Sequence, residues 1–327
     1  MSERVLNWGL LSTARINRAV IPPLRSSARN RLAAVASRNQ ASADAYAREW
    51  KIDRALGSYE TLVNDPDIDV IYVSLPNHLH AEWSIRALRA GKHVLCEKPL
   101  ALRLDEVDAM AAAAKEAGRV LAEAFMYRHH PQTLQVKEIV NGGQLGRLQL
   151  IKGAFTFTLK REGDIRLMKE TGGGSIWDVG CYPISYARMI AGTEPLEVFG
   201  WQTVGAGGAD MTFVGQMRFP GEVSAQFDCG FVSPQRSYME IIGSDGILNV
   251  PTPFKPGPAE QIVLTRGGQD QQIDIRGGEL YIGEVEDMTD AVLLGKPPRV
   301  SLDDSRGTIA TILALIQSAE TGRLVNV

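Results

Sequence analysis

Two short stretches hold the side chains best suited to chemistry. Cys96-Glu97-Lys98-Pro99 closes a brief apolar run, and Gly172-Gly173-Gly174-Ser175-Ile176-Trp177-Asp178-Val179-Gly180-Cys181-Tyr182-Pro183 follows much later in the chain. Interconverting an alcohol and a carbonyl needs a group that exchanges the hydroxyl proton. A tyrosine hydroxyl serves when a nearby cation lowers its pKa, and Lys98 is the obvious cation for Tyr182. The same ammonium can hydrogen-bond the substrate oxygen and stabilise negative charge developing there. In a helical reading Asp178 and Tyr182 stand at i and i+4, so Asp178 can orient that hydroxyl, the lysine or the substrate. Each residue also has a plain alternative. Lys98 alone reads as a surface lysine at a strand end, Tyr182 as a core tyrosine and Asp178 as the cap of the helix it begins. Trp177 reads as packing rather than as a cofactor contact.

The first apolar run leads into Gly9-Leu10-Leu11-Ser12-Thr13-Ala14-Arg15-Ile16-Asn17. Backbone amides at a strand-to-helix turn of this kind hold pyrophosphate. Ser12, Ala14 and Asn17 stand where a dinucleotide fingerprint has glycines. The turn therefore reads equally as an ordinary tight turn or as a phosphate cradle of Ser12, Thr13, Ala14, Arg15 and Ile16. At the tip of the second run, Val35-Ala36-Ser37-Arg38-Asn39 offers no acid for the ribose hydroxyls. Ser37 can donate to a 2′-phosphate, and Arg38 can pair with it and stack on adenine, unless it is simply a surface arginine. Together these favour NADP over NAD. Ser74-Leu75-Pro76-Asn77-His78-Leu79-His80 follows the Val70 run, at the edge where open α/β sheets bind ligands. Leu75 and Pro76 are expected against the cofactor, and Asn77 and His80 near the nicotinamide ribose. His78, His80 and the pair His129-His130 lack matching cysteine or acidic partners, so no metal is expected. Neither a Ser-His-Asp arrangement nor a GxSxG motif is present.

The elements that must position these groups are legible from periodicity. Val5–Leu11, Leu32–Ser37, Val70–Leu75, His93–Leu95 and Val120–Ala124 are short apolar runs of the kind buried in parallel sheets. Helical patterns at Arg15–Leu24, Ala41–Trp50, Leu79–Ala90 and Leu104–Ala117 alternate with them, which predicts a doubly wound Rossmann sheet over residues 1–125. From residue 126 the texture changes. After a helix at Thr133–Val140 come alternating stretches at Leu148–Lys160, Glu197–Val204, Met211–Phe219, Val223–Phe231 and Tyr238–Ile242. They predict an α+β domain over residues 126–327, built on a large, mainly antiparallel open sheet and closed by helices at Ile282–Leu294 and Asp303–Glu320. An open sheet tends to cover its free face with another subunit, so a homodimer or homotetramer is expected through it.

Composition sets outer bounds. The 327 residues exceed one hydrophobic core, and a net charge of -3 with both signs interspersed argues against nucleic acid or a polybasic membrane footing. No apolar run has the length of a membrane span, and Met1–Leu11 lacks the layout of a secretion signal. Cys96, Cys181 and Cys229 are scattered, as reduced thiols of a cytoplasmic protein would be.

Glu97-Lys98-Pro99 and the glycine-rich run to Asp178-x-Gly180-x-Tyr182 resemble the glucose–fructose oxidoreductase / inositol dehydrogenase (Gfo/Idh/MocA) family along essentially the whole chain. Trp8–Ile16, Ser37-Arg38 and Glu123-Ala124-Phe125-Met126-Tyr127-Arg128 are similar to its NADP-using branch, which includes D-xylose dehydrogenases, dihydrodiol dehydrogenases and glucose–fructose oxidoreductase. Many inositol dehydrogenases have histidine where this chain has Tyr182. The resemblance implies Lys98 and Tyr182 as catalytic residues with Asp178 assisting, and Glu97 and Pro99 shaping the cofactor site, often with a cis bond before Pro99. Arg128 and Arg166 are expected on the nicotinamide or substrate side. The implied activity is hydride transfer between NADP and a sugar or polyol. A pyranose oxidised at its anomeric carbon comes first and a cyclic vicinal diol second. A nucleotide-binding regulatory protein without chemistry, and an oxidoreductase that never releases its nucleotide, are the competing readings.

Overall fold

Parallel strands buried on both faces should be apolar throughout, and the first strand, β1 (Leu6–Leu11), is buried along nearly its whole length. A computed structural model describes residues 4–161 and 163–327, so part of the Met1–Leu11 stretch lies outside the described residues. With β1 run β2 (Asn30–Ala36), β3 (Arg54–Leu56), β4 (Val70–Val73), β5 (His93–Glu97) and β6 (Leu121–Ala124). They form one parallel sheet in the order β3-β2-β1-β4-β5-β6, the doubly wound Rossmann arrangement expected. Strand β3 went unread because three half-buried residues leave no periodic signal. The intervening helices are α1 (Asn17–Ser26), α2 (Gln40–Trp50), α3 (Tyr59–Val63), α4 (His80–Arg89) and α5 (Leu104–Ala117). Local chemistry ends them where expected. Asn39 accepts from the Ser42 amide to cap α2, and α5 stops at Gly118 in the left-handed conformation, φ 61°.

The second sheet contains β7 (Leu148–Thr158), β8 (Glu197–Val204), β9 (Asp210–Arg218), β10 (Ser224–Gly230), β11 (Val232–Gly243), β12 (Gly246–Val250), β13 (Ala259–Arg266), β14 (Gln269–Arg276) and β15 (Val325–Asn326). Its order is β14-β13-β12-β11-β7-β10-β9-β8-β15, antiparallel except that β7 and β10 run parallel. One face is apolar by register: Val198, Met217, Ala225, Ile151, Ile241, Leu248 and Leu264 form a continuous cross-strand row, all buried. The neighbouring row on the other face carries Gln216, Gln226 and a Lys152–Glu240 ion pair at 3.1 Å. Helices α6 (Pro131–Asn141) and α7 (Cys181–Ala191) belong to this part of the chain. Close approach of α7 needs Gly153: a Cβ there would lie 2.3 Å from the Met239 sulfur and 3.2 Å from Pro183 Cβ.

Contacts divide the chain into two units: residues through His129 together with Tyr281–Ser305, and His130–Leu280 with Arg306–Val327. A single boundary at 125/126 therefore does not describe the chain, because α8 (Ile282–Leu294) returns to the first unit. Val285 and Met288 of α8 join the core around Leu6, Trp8, Val20 and Leu24. Arg29 meets Asp290 at 2.7 Å and also pairs with Glu286, and Thr289 donates to Asn30 at 3.0 Å. The last long helix is α9 (Leu302–Thr321). Among the described residues no helix is long and apolar enough to cross a membrane.

Candidate active site

The first unit offers its candidate residues from loops at the carboxyl ends of its strands. Ser12 adopts φ 140°, a region glycine occupies freely and other residues enter at a cost of about 1–3 kcal/mol. Its hydroxyl turns inward, meeting the Ser74 hydroxyl at 2.8 Å and accepting from the Ala14 amide at 3.0 Å, while Asn17 donates to its carbonyl at 2.8 Å. Serine and asparagine thus replace two fingerprint glycines by fastening the turn internally. Whatever Ser12 gives a ligand must come from backbone. The amides of Thr13, Arg15 and Ile16 donate to no backbone carbonyl among the described residues, the state of a helix start prepared for an anion. At the tip of β2, Ser37 is buried and Arg38 exposed, and Arg38 lies close enough to Tyr59 for its charge to offset part of the upward push that burial gives that phenol. These features fit a nucleotide bearing a 2′-phosphate: free amides for the pyrophosphate, a cation for the extra phosphate, and no acid at the strand tip to repel it.

Lys98 leaves the end of β5 on a backbone whose next peptide but one is held at both its carbonyl and its amide. The Lys98–Pro99 peptide is cis. The Pro99 carbonyl lies 2.8 Å from His80 Nδ1, and the next amide, Leu100, donates to Glu123 Oε1 at 2.9 Å. Glu123 is buried at the end of β6, and burial lifts its carboxyl to about 7. Beside Lys98, Glu97 accepts from the Tyr72 hydroxyl, and burial drives that phenol's pKa well up. Lys98 itself is half-buried.

Two of the residues expected near the cofactor have partners inside this unit. His80 is 0% exposed, with Nδ1 against Pro99 O and Nε2 against Leu75 O, both at 2.8 Å. Whichever tautomer the neutral ring adopts, it lies between two carbonyls and braces the loops that carry Leu75 and Pro99. Arg128 is buried too, and its Nη2 donates to Asp304 at 2.6 Å. A buried guanidinium needs a counter-ion, and here Asp304 supplies it. Leu75 is buried, while Pro76 and Asn77 are half-buried at the start of the turn into α4. The paired histidines have structural occupations: burial takes His129 down to about 3, and His130 Nδ1 accepts from the Gln132 amide to cap α6.

In the second unit, Asp178 lies in a π-helical turn, Ile176–Gly180, that runs directly into α7. The helix starts before Asp178, so Asp178 is not its cap. That role falls to Asp210, the first residue of β9, whose Oδ2 accepts from the Ser175 hydroxyl and from the Ile176 amide at 3.0 Å. Gly174, at φ 128°, is required here: a Cβ would lie 2.2 Å from Asp210 Oδ1. Asp178 Oδ2 faces Arg166 Nη1 at 3.4 Å. Arg166 is gripped in turn by Asp164, Nε to Oδ1 and Nη2 to Oδ2, both 2.9 Å. The guanidinium holds the Asp164 carboxyl below its ordinary value, and Arg166 is raised by the same bonds. Tyr182, on the first turn of α7, packs its ring edge-on against Phe155 at 5.3 Å and tilted against Phe254 at 5.5 Å. Trp177 is buried, consistent with packing.

Sequence reading missed Asp164, Asp210, Glu123 and Tyr72 as parts of the site's support. Only Asp164 left a local signal, an acid two residues before Arg166 in the pattern that starts a tight turn.

Comparison with known proteins joins these observations to a family. The profile of an oxidoreductase family with an NAD-binding Rossmann fold, Gfo/Idh/MocA, matches residues 6–125, and that of the family's C-terminal domain matches 133–249. The chain is 38% identical to an NADP-dependent D-xylose 1-dehydrogenase of Haloferax volcanii over 97% of its own length and 98% of that protein. A trans-1,2-dihydrobenzene-1,2-diol dehydrogenase of Xenopus laevis is 31% identical, covering 94% and 95% of the two chains. Among solved structures, an aldose-aldose oxidoreductase of Caulobacter crescentus superposes with a TM-score of 0.92 at 26% identity, covering 99% of this chain and 100% of that one. A 3-ketoreductase of Actinomadura kijaniata, in complex with NADP and TDP-benzene, superposes at 0.91 and 29% identity, covering 96% and 98%. With both domain profiles matched and full-length relatives above 30% identity, the chain belongs to the Gfo/Idh/MocA family of nicotinamide-dependent oxidoreductases.

Proposed function

We propose that this protein is an NADP(H)-dependent dehydrogenase or reductase of a neutral sugar or polyol, with a pyranose such as D-xylose, oxidised at the anomeric carbon to a lactone, as its first candidate. The observation that carries the reading is the full-length likeness to an NADP-dependent D-xylose 1-dehydrogenase in a chain that carries Lys98, Asp178 and Tyr182. A cyclic vicinal diol is the second candidate, supported by the likeness to the diol dehydrogenase. NADP would be held by the turn Ser12–Ile16, by Ser37 and Arg38, and along the Leu75-Pro76-Asn77 and Glu97-Lys98 loops. The chemistry supplied by the bound nucleotide is uptake or return of a hydride.

The chain's own residues handle the proton. The Tyr182 hydroxyl exchanges it with the substrate hydroxyl, and the Lys98 ammonium donates to that oxygen and lowers the cost of negative charge on both oxygens. Asp178, steadied by Arg166, orients the substrate. The reading requires Lys98 and Tyr182 to serve one substrate oxygen. Lys98→Met and Tyr182→Phe should each lower kcat by at least ~100-fold with NADPH affinity retained. Unchanged turnover in both variants removes the mechanism, and NADPH binding without turnover of any sugar or diol turns the reading to a regulatory nucleotide-binding protein.

The protein is further proposed to work in the cytoplasm, in keeping with three buried cysteines that form no disulfide. It is also proposed to form a homodimer or homotetramer through the outer face of its large sheet. There Trp201 and Val214, direct cross-strand partners, stand exposed. Trp201→Glu should shift the sedimenting species to monomer, and an unchanged species places the interface elsewhere.

A further inference from the structure

Glycine adopts φ 140° freely and other residues do not, so the serine at position 12 needs a reason. The reason lies one step beyond the sheet. Leu11 and Val73 are the last paired residues of β1 and β4, and Ser12 and Ser74 follow them on the two chains. The Ser12 hydroxyl lies 2.9 Å from the Ser74 carbonyl, 2.8 Å from the Ser74 hydroxyl and 3.0 Å from the Ala14 nitrogen. A serine hydroxyl has one proton to give and two lone pairs to fill. Donating to the Ser74 carbonyl while accepting from the Ser74 hydroxyl and the Ala14 amide uses all three. Both serines are buried, 7% and 4% exposed, so little water competes for these bonds. The lacing goes on along the sheet edge. His80 spans the Leu75 and Pro99 carbonyls, and Glu123 takes the Leu100 amide. Loops at the carboxyl ends of β1, β4, β5 and β6, neighbours in the sheet, are thereby joined one to the next.

We propose that Ser12 and Ser74 are a positioning pair for the nucleotide: their joined hydroxyls fix the turn Ser12–Ile16 against the Leu75-Pro76-Asn77 loop before the nucleotide arrives. The inference rests on the functional reading above, in which that turn holds pyrophosphate and that loop lies along the cofactor. Neither hydroxyl touches the nucleotide, and both act through the backbone that carries them. With the pair in place, the two ends of one dinucleotide meet groups already set at their spacing. Without it, binding must also order the turn, and affinity falls by that amount.

Fluorescence titration with NADPH and NADH, which needs no sugar, tests the pair. Ser12→Gly removes the tie and the backbone strain together, so its Tm should stay within about 5 °C of the wild type. Both nucleotides should nonetheless bind at least ~10-fold more weakly. An equal loss is the mark of the turn, since pyrophosphate is common to both, whereas Arg38→Ala should weaken NADPH alone. Ser74→Ala keeps the carbonyl link and should lose about threefold. Added to Ser12→Gly it should lose nothing further, because the partner hydroxyl is already gone. Ser74→Thr keeps the hydroxyl and should bind as the wild type does. If Ser12→Gly folds poorly, Ser74→Ala set against Ser74→Thr decides. Wild-type affinity in Ser12→Gly and Ser74→Ala, tighter binding once the Ala14 amide is released, a loss confined to NADPH, or losses that add in the double variant overturn the proposal. So does a loss that vanishes at fixed folded fraction, which marks a merely structural tie. A wild type that binds neither nucleotide removes the functional reading, and the pair's role with it. Variants that bind as the wild type does remove the pair's role alone.

Discussion

Lys98 and Tyr182 are positioned by opposite means. In the first unit the candidate lysine is set by main-chain anchoring: His80 meets the carbonyl, and Glu123 takes the amide, of the Pro99–Leu100 peptide that follows the cis bond. Both anchors come from neighbouring strand ends, because β4, β5 and β6 lie side by side and their carboxyl-end loops meet. In the second unit the start of the candidate helix is braced by carboxylates on other segments: Asp210, from the next strand but one, on Ser175 and Ile176, and Asp164, from the preceding loop, through Arg166 on Asp178. The contrast teaches that a parallel sheet places its chemistry by topology, so a short motif is enough to find it. An antiparallel sheet places chemistry by individual long-range contacts that a motif does not contain.

The largest test of this contrast is Asp210→Ala. It orphans the Ser175 hydroxyl and the Ile176 amide, two buried donors, and should cost about 2–4 kcal/mol of stability and much of kcat. NADPH affinity at fixed folded fraction should stay unchanged; a fall in affinity would mean the two kinds of support are not separate. Next is Glu123→Gln. Burial raises the Glu123 carboxyl from an ordinary 4.5 to about 7, so over that window the folded chain keeps a proton that the unfolded chain has released. Stability is therefore fully present below about pH 4.5 and declines as pH rises through about 7. Glutamine can still accept from Leu100 and should flatten that limb, a change of up to about 3 kcal/mol seen in denaturant titrations at pH 5 and pH 8. An unaltered slope would assign the pH dependence elsewhere. The smallest effect is expected at Arg38→Ala, which should weaken NADP by about tenfold, close to 1.4 kcal/mol, and NAD hardly at all. Equal losses would remove Arg38 from cofactor choice.

The same contrast explains what the amino-acid order disclosed. Periodicity was enough for five of the six parallel strands and for α5 to the residue, since Leu104–Ala117 carries acids in its first turn and a glycine just past its end. Lys98, Asp178 and Tyr182 stood out because their neighbours are glycine, proline and aromatic residues in tight succession. Strands β13 and β14 passed unread, since Gln269–Arg276 is nearly all polar and exposed and takes its form from pairing with β13 rather than from its own pattern. His80 was placed correctly along the chain, but its position between two carbonyls had no mark in the sequence. A histidine in a ligand loop looks the same in sequence whether its nitrogens face solvent or two carbonyls. Asp210 lay beyond local reading altogether, with only a glycine-rich turn before it to mark a strand start. The return of α8 to the first unit has no signature either, because its apolar stripe states that it packs and not on what.

That return governs the order in which the polypeptide can mature. When the ribosome has finished the six parallel strands, Asn30 and Arg29 still lack Thr289, Glu286 and Asp290, and the core beside Leu6 and Val20 awaits Val285 and Met288. Nascent chains released near residue 130 should accordingly be prone to proteolysis and chaperone capture, and the nucleotide-type half should gain its full protection only once about the last tenth of the message remains to be read.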